Sequence, residues 1–217
     1  MHLLNLNPDE LLTTTRAVRK RLDLTMPVES SIIQECISVA QQAPTGGNRQ
    51  GWHFVVVTDP ALRAGLGKLY RDGAKEYFAS PSSAGGRQSG DPEYDKTQAK
   101  IRESATYLVD HIQEVPVHVI PCIAGRTDGL PASAQASMWG SIFPAVWSFM
   151  LAARARGLGT TLTSFHLAYE KEAANLLGIP FDKAMQAGLI PVAYTKGTDF
   201  KPAQRFKVQT MIHWDKW

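Results

Sequence analysis

Two short stretches of this chain hold residue types that can grip a ligand. The first is Ala43-Pro-Thr-Gly-Gly-Asn-Arg-Gln-Gly-Trp52. Gly46 and Gly47 can take positive φ and remove the side chains that would keep a flat molecule away from the backbone. Pro44 and Thr45 lead into the turn, Asn48 and Gln50 supply amide donors and acceptors, and Trp52 offers a large apolar plate. Together they suit a polar aromatic heterocycle; the competing reading is an ordinary helix-to-strand turn. The second stretch is the basic run Arg16–Arg21. Arg16 and Arg19 are three apart, so on a helix they share a face and can fork around a phosphate, each charge-assisted bond contributing about 1.5–3 kcal/mol. A solvated basic helix end, favoured by the helix dipole, is the alternative.

Ordinary scaffold must position these residues. Pro8 opens a helical pattern carrying Leu11, Leu12, Val18 and Leu22, and Pro27–Gln42 places Ile32, Ile33, Cys36, Ile37 and Ala40 at helical spacing until Pro44 stops it. Phe54–Val57 reads as a strand, Pro60–Ala79 and Glu93–Glu114 as helices, and Ser80–Pro92 between them as a loop, either a lid or plain surface. Val115–Ile123 is an apolar strand whose Pro116 and Pro121 predict an edge position or a short pairing. Pro131–Gly157 is the longest apolar helical stretch, hydrophobic around almost its whole circumference, which predicts burial on all sides and hence a partner subunit. Gly157-Leu-Gly-Thr then turns into a short strand, Tyr169–Leu177 is an amphipathic helix closed by Gly178, and Ala184–Tyr194 is a third strand. Thr195–Trp217 is a polar tail ending in two tryptophans, expected to embrace the other subunit.

Composition narrows the classes. The chain has 217 residues, 44% of them hydrophobic, and no compositional break, which predicts one domain over 1–217. With no leader-like start and no run near the roughly 18 apolar residues of a membrane helix, the expectation is a cytoplasmic protein without a membrane partner. A net charge of +3, spread along the chain and without interleaved aromatics, argues against nucleic acid. The two cysteines form no CxxC pattern and the six histidines no HxxxH or Cys/His cluster, so no protein-bound metal is expected. Ser-His-Asp, Cys-His and paired-carboxylate constellations are also missing from the sequence, so no catalytic side chain is singled out.

In this order, the motifs resemble the FMN-dependent nitroreductase family. Those carrying the resemblance are Thr15-Arg-Ala-Val-Arg, Ala43 to Phe54, Gly157-Leu-Gly-Thr, and Gly178-Ile-Pro…Pro191-Val-Ala-Tyr with the final His-Trp-Asp-Lys-Trp. The resemblance covers most of the chain. It implies an α+β fold, an α/β/α sandwich with a mostly antiparallel central sheet, forming an interlaced homodimer with a C-terminal arm (195–217) on the partner. By position it implies FMN contacts at Arg16, Ala17 and Arg19, then at Pro44, Thr45, Gly46, Gly47, Asn48 and Gln50 along the isoalloxazine edge. Leu158, Gly159 and Thr160 would lie near flavin N5, and Arg205 would complete the phosphate site with Lys207 as second choice. Thr15 and Ala17 stand where the family pattern has Arg and Ser. The implied reaction passes hydride from NAD(P)H through the flavin to a small electron acceptor, a nitroaromatic, quinone or activated alkene, by ping-pong kinetics. Trp139, Phe143 and Phe165 are candidates for the substrate side, with core or dimer packing as their alternative. Rival functions on the same fold are FMN sequestration without turnover and a non-redox flavin enzyme.

Overall fold

A computed structural model describes residues 3–81, 83 and 89–217. Ser82 and residues 84–88 of the Ser80–Pro92 loop, where a lid is expected, lie outside the described residues.

The helices form where the apolar spacing requires them. They are α1 (Pro8–Thr14), α2 (Ser30–Ala40), α3 (Pro60–Ala79), α4 (Pro92–His111), α5 (Ala132–Ala155) and α6 (Glu170–Leu177). α1 begins with a capping box between Asn7 and Glu10, and Asp59 and Asp91 cap α3 and α4 through backbone N–H groups. α1 stops at Thr14, earlier than the sequence pattern suggests. Thr13, Thr14 and Thr15 each donate their hydroxyl to the carbonyl four residues back, and Thr15 already has extended φ/ψ. Gly178, at φ 67°, closes α6 in the left-handed conformation that glycine permits.

The strands are β1 (Trp52–Val57), β2 (Val117–Ala124), β3 (Leu158–Thr160), β4 (Ala184–Gln186) and β5 (Ile190–Tyr194), all paired antiparallel in the order β1-β2-β5-β3, with β4 also on β2. β2 is therefore central, against the edge position its prolines predict. β5 pairs with Val117–Val119 and β4 with Cys122–Ala124, so Pro121 falls in the gap between them. Only its carbonyl is used on that side, accepting from Ala187 N at 2.8 Å. The missing N–H sits where no donor is needed. The predicted single strand 184–194 is split at the same place, because Leu189 turns aside to exchange two hydrogen bonds with Thr163.

Side chains alternate across the sheet. Val117, Val119 and Ile123 join α2 and α5 on one face, while Ile120 and Cys122 join residues of α3 and α6 on the other. Both faces are covered, giving the expected sandwich. α5 is long and apolar enough, by length and composition, to cross a membrane, contrary to the sequence-based expectation. In the fold it is a core helix: Ile142, Ala145, Val146, Phe149 and Ala153 are buried against β2, β5 and α2. Burial is one-sided, however. Phe143 and Trp147, one turn apart, remain 39% and 42% exposed in the single chain.

Candidate functional site

The basic run folds against both ends of the chain. After α1 the backbone is extended, not helical, and Val18 N donates to Thr160 O of β3 at 2.8 Å beside a parallel bridge between Ala17 and Thr160. Val18 and Leu22 are buried and hold the segment to the sheet. Gly159 permits this approach: a Cβ there would stand 2.7–2.9 Å from side-chain atoms of Thr195, Leu22 and Val18. The tail covers the other side. Arg16 Nη1 donates to Lys201 O at 3.0 Å, Arg21 Nε to Lys196 O at 2.9 Å, and Arg21 Nη2 pairs with Asp199 at 2.6 Å.

Between them lies a cavity of about 290 Å3 lined by Arg16, Arg19, Lys20, Arg21 and Lys201, with Asp199 its sole acid. Arg16 and Arg19 thus meet at one cavity, although through an extended segment and not through a shared helix face. Arg19 is half-buried, and no carboxylate pairs with it among the described residues. Burial lowers its pKa, opposed by the Tyr70 phenol. Tyr70 is itself buried, its phenol pushed up to about 12 mainly by burial, and it shares a 3.1 Å hydrogen bond with Thr163. A desolvated guanidinium among four further cations is a receptor for an anion. The volume takes a phosphate and part of its chain; an attached ring system would extend outside. These residues fit the phosphate end of FMN.

The glycine-rich cradle is a separate construction. Gly46–Asn48 makes a short turn in which Gly47, Asn48 and, just beyond, Gln50 have φ of 61°, 52° and 49°. Left-handed Asn and Gln so close together mark stored strain, a common property of binding loops. The turn is held by Gln50 N donating to Thr45 Oγ1, Gln50 Nε2 to Asn48 Oδ1, and Gly46 N to Ser141 Oγ on α5. Pro44 and residues 46–50 are exposed. Trp52 is not a ligand plate: it packs into the core below and donates its indole N–H to Ser141 O at 2.9 Å. Ser141 lies three residues before Pro144, whose missing N–H interrupts the helix ladder.

Other expected residues are dispersed. Leu158, Gly159 and Thr160 pair with β5 in the sheet, Leu158 and Thr160 are buried, and Thr160 O holds the 15–19 segment through Val18 N. Leu162, 38% exposed, and Ser164 are the accessible part of that turn. Arg205 lines a different cavity, about 400 Å3, between α4 and the tail, next to the stacked Tyr94 and Phe206 rings. Lys201, not Arg205, is the tail cation that lines the basic cavity. Trp139 and Phe143 stack at 5.7 Å on α5, while Phe165 sits apart, packed on Tyr70, Tyr77 and Phe78. Lys201, Asp199 and Tyr70 were not singled out from the sequence; their only signal was tail basicity and an apolar helix face. His118 and His166 are buried, and burial lowers both to about 4. No metal-binding cluster occurs among the described residues.

The cradle touches α5 at Ser141, whereas the cavity's floor approaches α5 at Arg154, which contacts Thr14 and Thr198. Thirteen residues of helix separate these points by about 20 Å. Among the described residues, the cradle and the cavity are thus anchored to α5 at well-separated points.

The model of the "Nitroreductase family" matches residues 12–194. An iodotyrosine deiodinase from Haliscomenobacter hydrossis is 37% identical over 65 residues, 30% of this chain and about a quarter (27%) of that relative. Protein DrgA from Synechocystis sp. is 29% identical over 167 residues, 76% of this chain and 73% of the relative. Among solved structures, iodotyrosine deiodinase bound to FMN and 3-iodo-L-tyrosine superposes with a TM-score of 0.72 at 20% identity, over 96% of this chain and 99% of that one. A BluB-like flavoprotein from Clostridium difficile gives 0.70 at 15% identity, over 98% and 100%. A variant of the FMN and NADPH-dependent nitroreductase NfnB from a sphigopyxis strain gives 0.62 at 21%, over 98% and 100%.

Proposed function

The chain belongs to the nitroreductase family, and from that premise we propose that it is an FMN-dependent oxidoreductase taking hydride from NADH or NADPH and delivering it to a nitroaromatic, a quinone or an activated alkene. The observation that carries this reading is the basic cavity in which half-buried Arg19 makes no ion pair among the described residues. When bound, FMN supplies the two-electron chemistry. The chain's own residues bind and orient. Arg16, Lys201 and Arg19 hold the phosphate end, and Arg19 places a fixed positive charge where negative charge must be stabilised. Asn48 and Gln50 offer amide groups to the ring edge.

A homodimer completes the site in this reading, because the cradle of one copy must meet the cavity of the other. Three features support it: the roughly 20 Å separation along α5, the exposed Phe143 and Trp147 beside Trp139, and the exposed Met211, Trp214 and Trp217. The tail divides in two. Residues 196–206 lie on their own subunit, through Arg21, Arg16, Arg154 and Tyr94, leaving 207–217 to embrace the partner. We place the protein in the cytoplasm.

The test is an absorption spectrum of the purified protein followed by anaerobic addition of NADPH, then NADH. A flavin band that bleaches, with steady nucleotide consumption once an acceptor is added, is expected. Bound flavin that stays oxidised with both donors would exclude this function and leave sequestration. A second reading, reductive removal of halide from an aromatic ring, draws on the deiodinase likeness in both sequence and fold. Iodide release from 3-iodotyrosine under a chemical reductant would select it.

A further inference from the structure

Arg154, in the last turn of α5, is 4% exposed. Its Nη2 donates to Thr198 O at 3.0 Å and lies 3.4 Å from Thr14 Oγ1. Its Nε and Nη1 are buried without a hydrogen-bond partner, and no carboxylate pairs with it among the described residues. Phe200 receives two guanidiniums: Arg154 at 4.9 Å and Arg21 at 4.2 Å from its centroid. Arg21 pairs with Asp199, whereas Arg154 makes no ion pair among the described residues; burial lowers its pKa and the like charge of Arg21 adds to this. A cation kept dry and without an ion-pair partner is costly, so its retention calls for negative charge close at hand. Its contacts show where that anion would lie. Thr198 and Phe200 flank Asp199 in the segment that walls the basic cavity, and Phe200 and Lys201 line that wall. The guanidinium is too enclosed to touch a ligand and acts through this wall.

We propose that Arg154 is a positioning residue for the phosphate end of the cavity, holding the 198–201 wall in place and adding an uncancelled positive charge behind it, so that it sets the preference for phosphorylated over unphosphorylated flavin. This rests on the FMN reading above and extends it to a residue outside the cavity. It also gives a physical role to a charge that offsets the Arg and Ser replaced by Thr15 and Ala17.

The experiment titrates flavin-free protein with FMN and with riboflavin, following flavin fluorescence, for wild type, Arg154→Met, Arg154→Lys and Phe200→Leu. Wild type should favour FMN strongly. Arg154→Met should cut the FMN-to-riboflavin affinity ratio about tenfold while riboflavin binding stays within about twofold. Arg154→Lys, which keeps the charge but loses the planar contact, should fall between, and Phe200→Leu should lower the ratio with the charge intact. A structural role alone would weaken both flavins equally and leave the ratio unchanged, which would overturn the proposal. If Arg154→Met does not fold, an unchanged ratio in the other two variants overturns it equally. Wild type that fails to distinguish the two flavins, or binds neither, would defeat the phosphate reading itself and this inference with it.

Discussion

The cradle and the basic cavity are built in opposite ways. Within the cradle's turn, hydrogen bonds span two to five residues, and long-range anchors join it to Ser141 and Ala124. The cavity is assembled from bonds between residues 175 and 185 positions apart, joining the start of the chain to its tail. The first is a strained local turn that offers neutral dipoles; the second is a long-range assembly that concentrates charge. A local motif tolerates damage elsewhere, while a long-range one shares the fate of the whole fold.

The largest expected effect acts on both regions together. His118 and His166 are held neutral by burial, with pKa values near 4 against 6.5 in the unfolded chain. Below pH 6.5 the unfolded state takes up protons that the folded state refuses, so stability present above 6.5 drains as pH falls towards 4, on the order of 3 kcal/mol for each histidine. Thermal melts across this window should show it, and replacing either histidine with Gln should flatten the dependence. A pH-independent melting temperature would refute the buried neutral state.

Gly159→Val should separate the two regions. The new side chain meets Thr195, Leu22 and Val18, so overpacking costs about 1–3 kcal/mol and lowers Tm by roughly 2–4 °C per kcal/mol. It should also unseat the 15–21 segment and weaken FMN binding while leaving the cradle's Trp52 fluorescence environment unchanged. Arg19→Met sharpens the contrast by moving two quantities in opposite directions. FMN affinity should fall about 10- to 100-fold, and the flavin-free protein should become slightly more stable because a desolvated cation is gone. A parallel loss of both would mean that Arg19 serves only the fold. The smallest effect belongs to the cradle. Trp52→Phe removes the bond to Ser141 O and should cost about 0.5–1.5 kcal/mol, leaving the FMN-to-riboflavin ratio as it was.

The same division explains what could be read from the sequence. Apolar spacing located α2, α3, α5 and α6 and most strand segments, and the ordered motifs identified the sandwich. The cradle was legible because glycine, proline and amides within ten residues constrain one another. The cavity was legible only in part. Arg16 and Arg19 were visible, but their extended geometry followed from three consecutive threonines, each back-bonded to the helix before it. Lys201 and Arg205 are chemically alike in a tail without periodicity, and only the packing of Phe200 under Arg21 and Arg154 separates their roles. Pro121 signalled an edge because a sequence cannot show that two neighbouring strands leave a gap at that residue. Trp52 looked like a binding surface for a similar reason: an aromatic beside a glycine turn has the same composition whether it faces a ligand or the core.

The 24-residue helix α5 carries the cradle at Ser141, near its middle, and the cavity's support at Arg154, in its last turn. It therefore works as a ruler with a phase. Inserting a single residue between Ser141 and Arg154 would turn one end by about 100° relative to the other and push it about 1.5 Å along the axis, so the cradle and the cavity would change their relative facing as well as their spacing. An insertion of seven would restore the facing to within about 20°, at the cost of roughly 10 Å of extra span. The spacing between these two residues is consequently a constraint in its own right, added to the one that burial places on Ile142, Ala145, Val146, Phe149 and Ala153 between them.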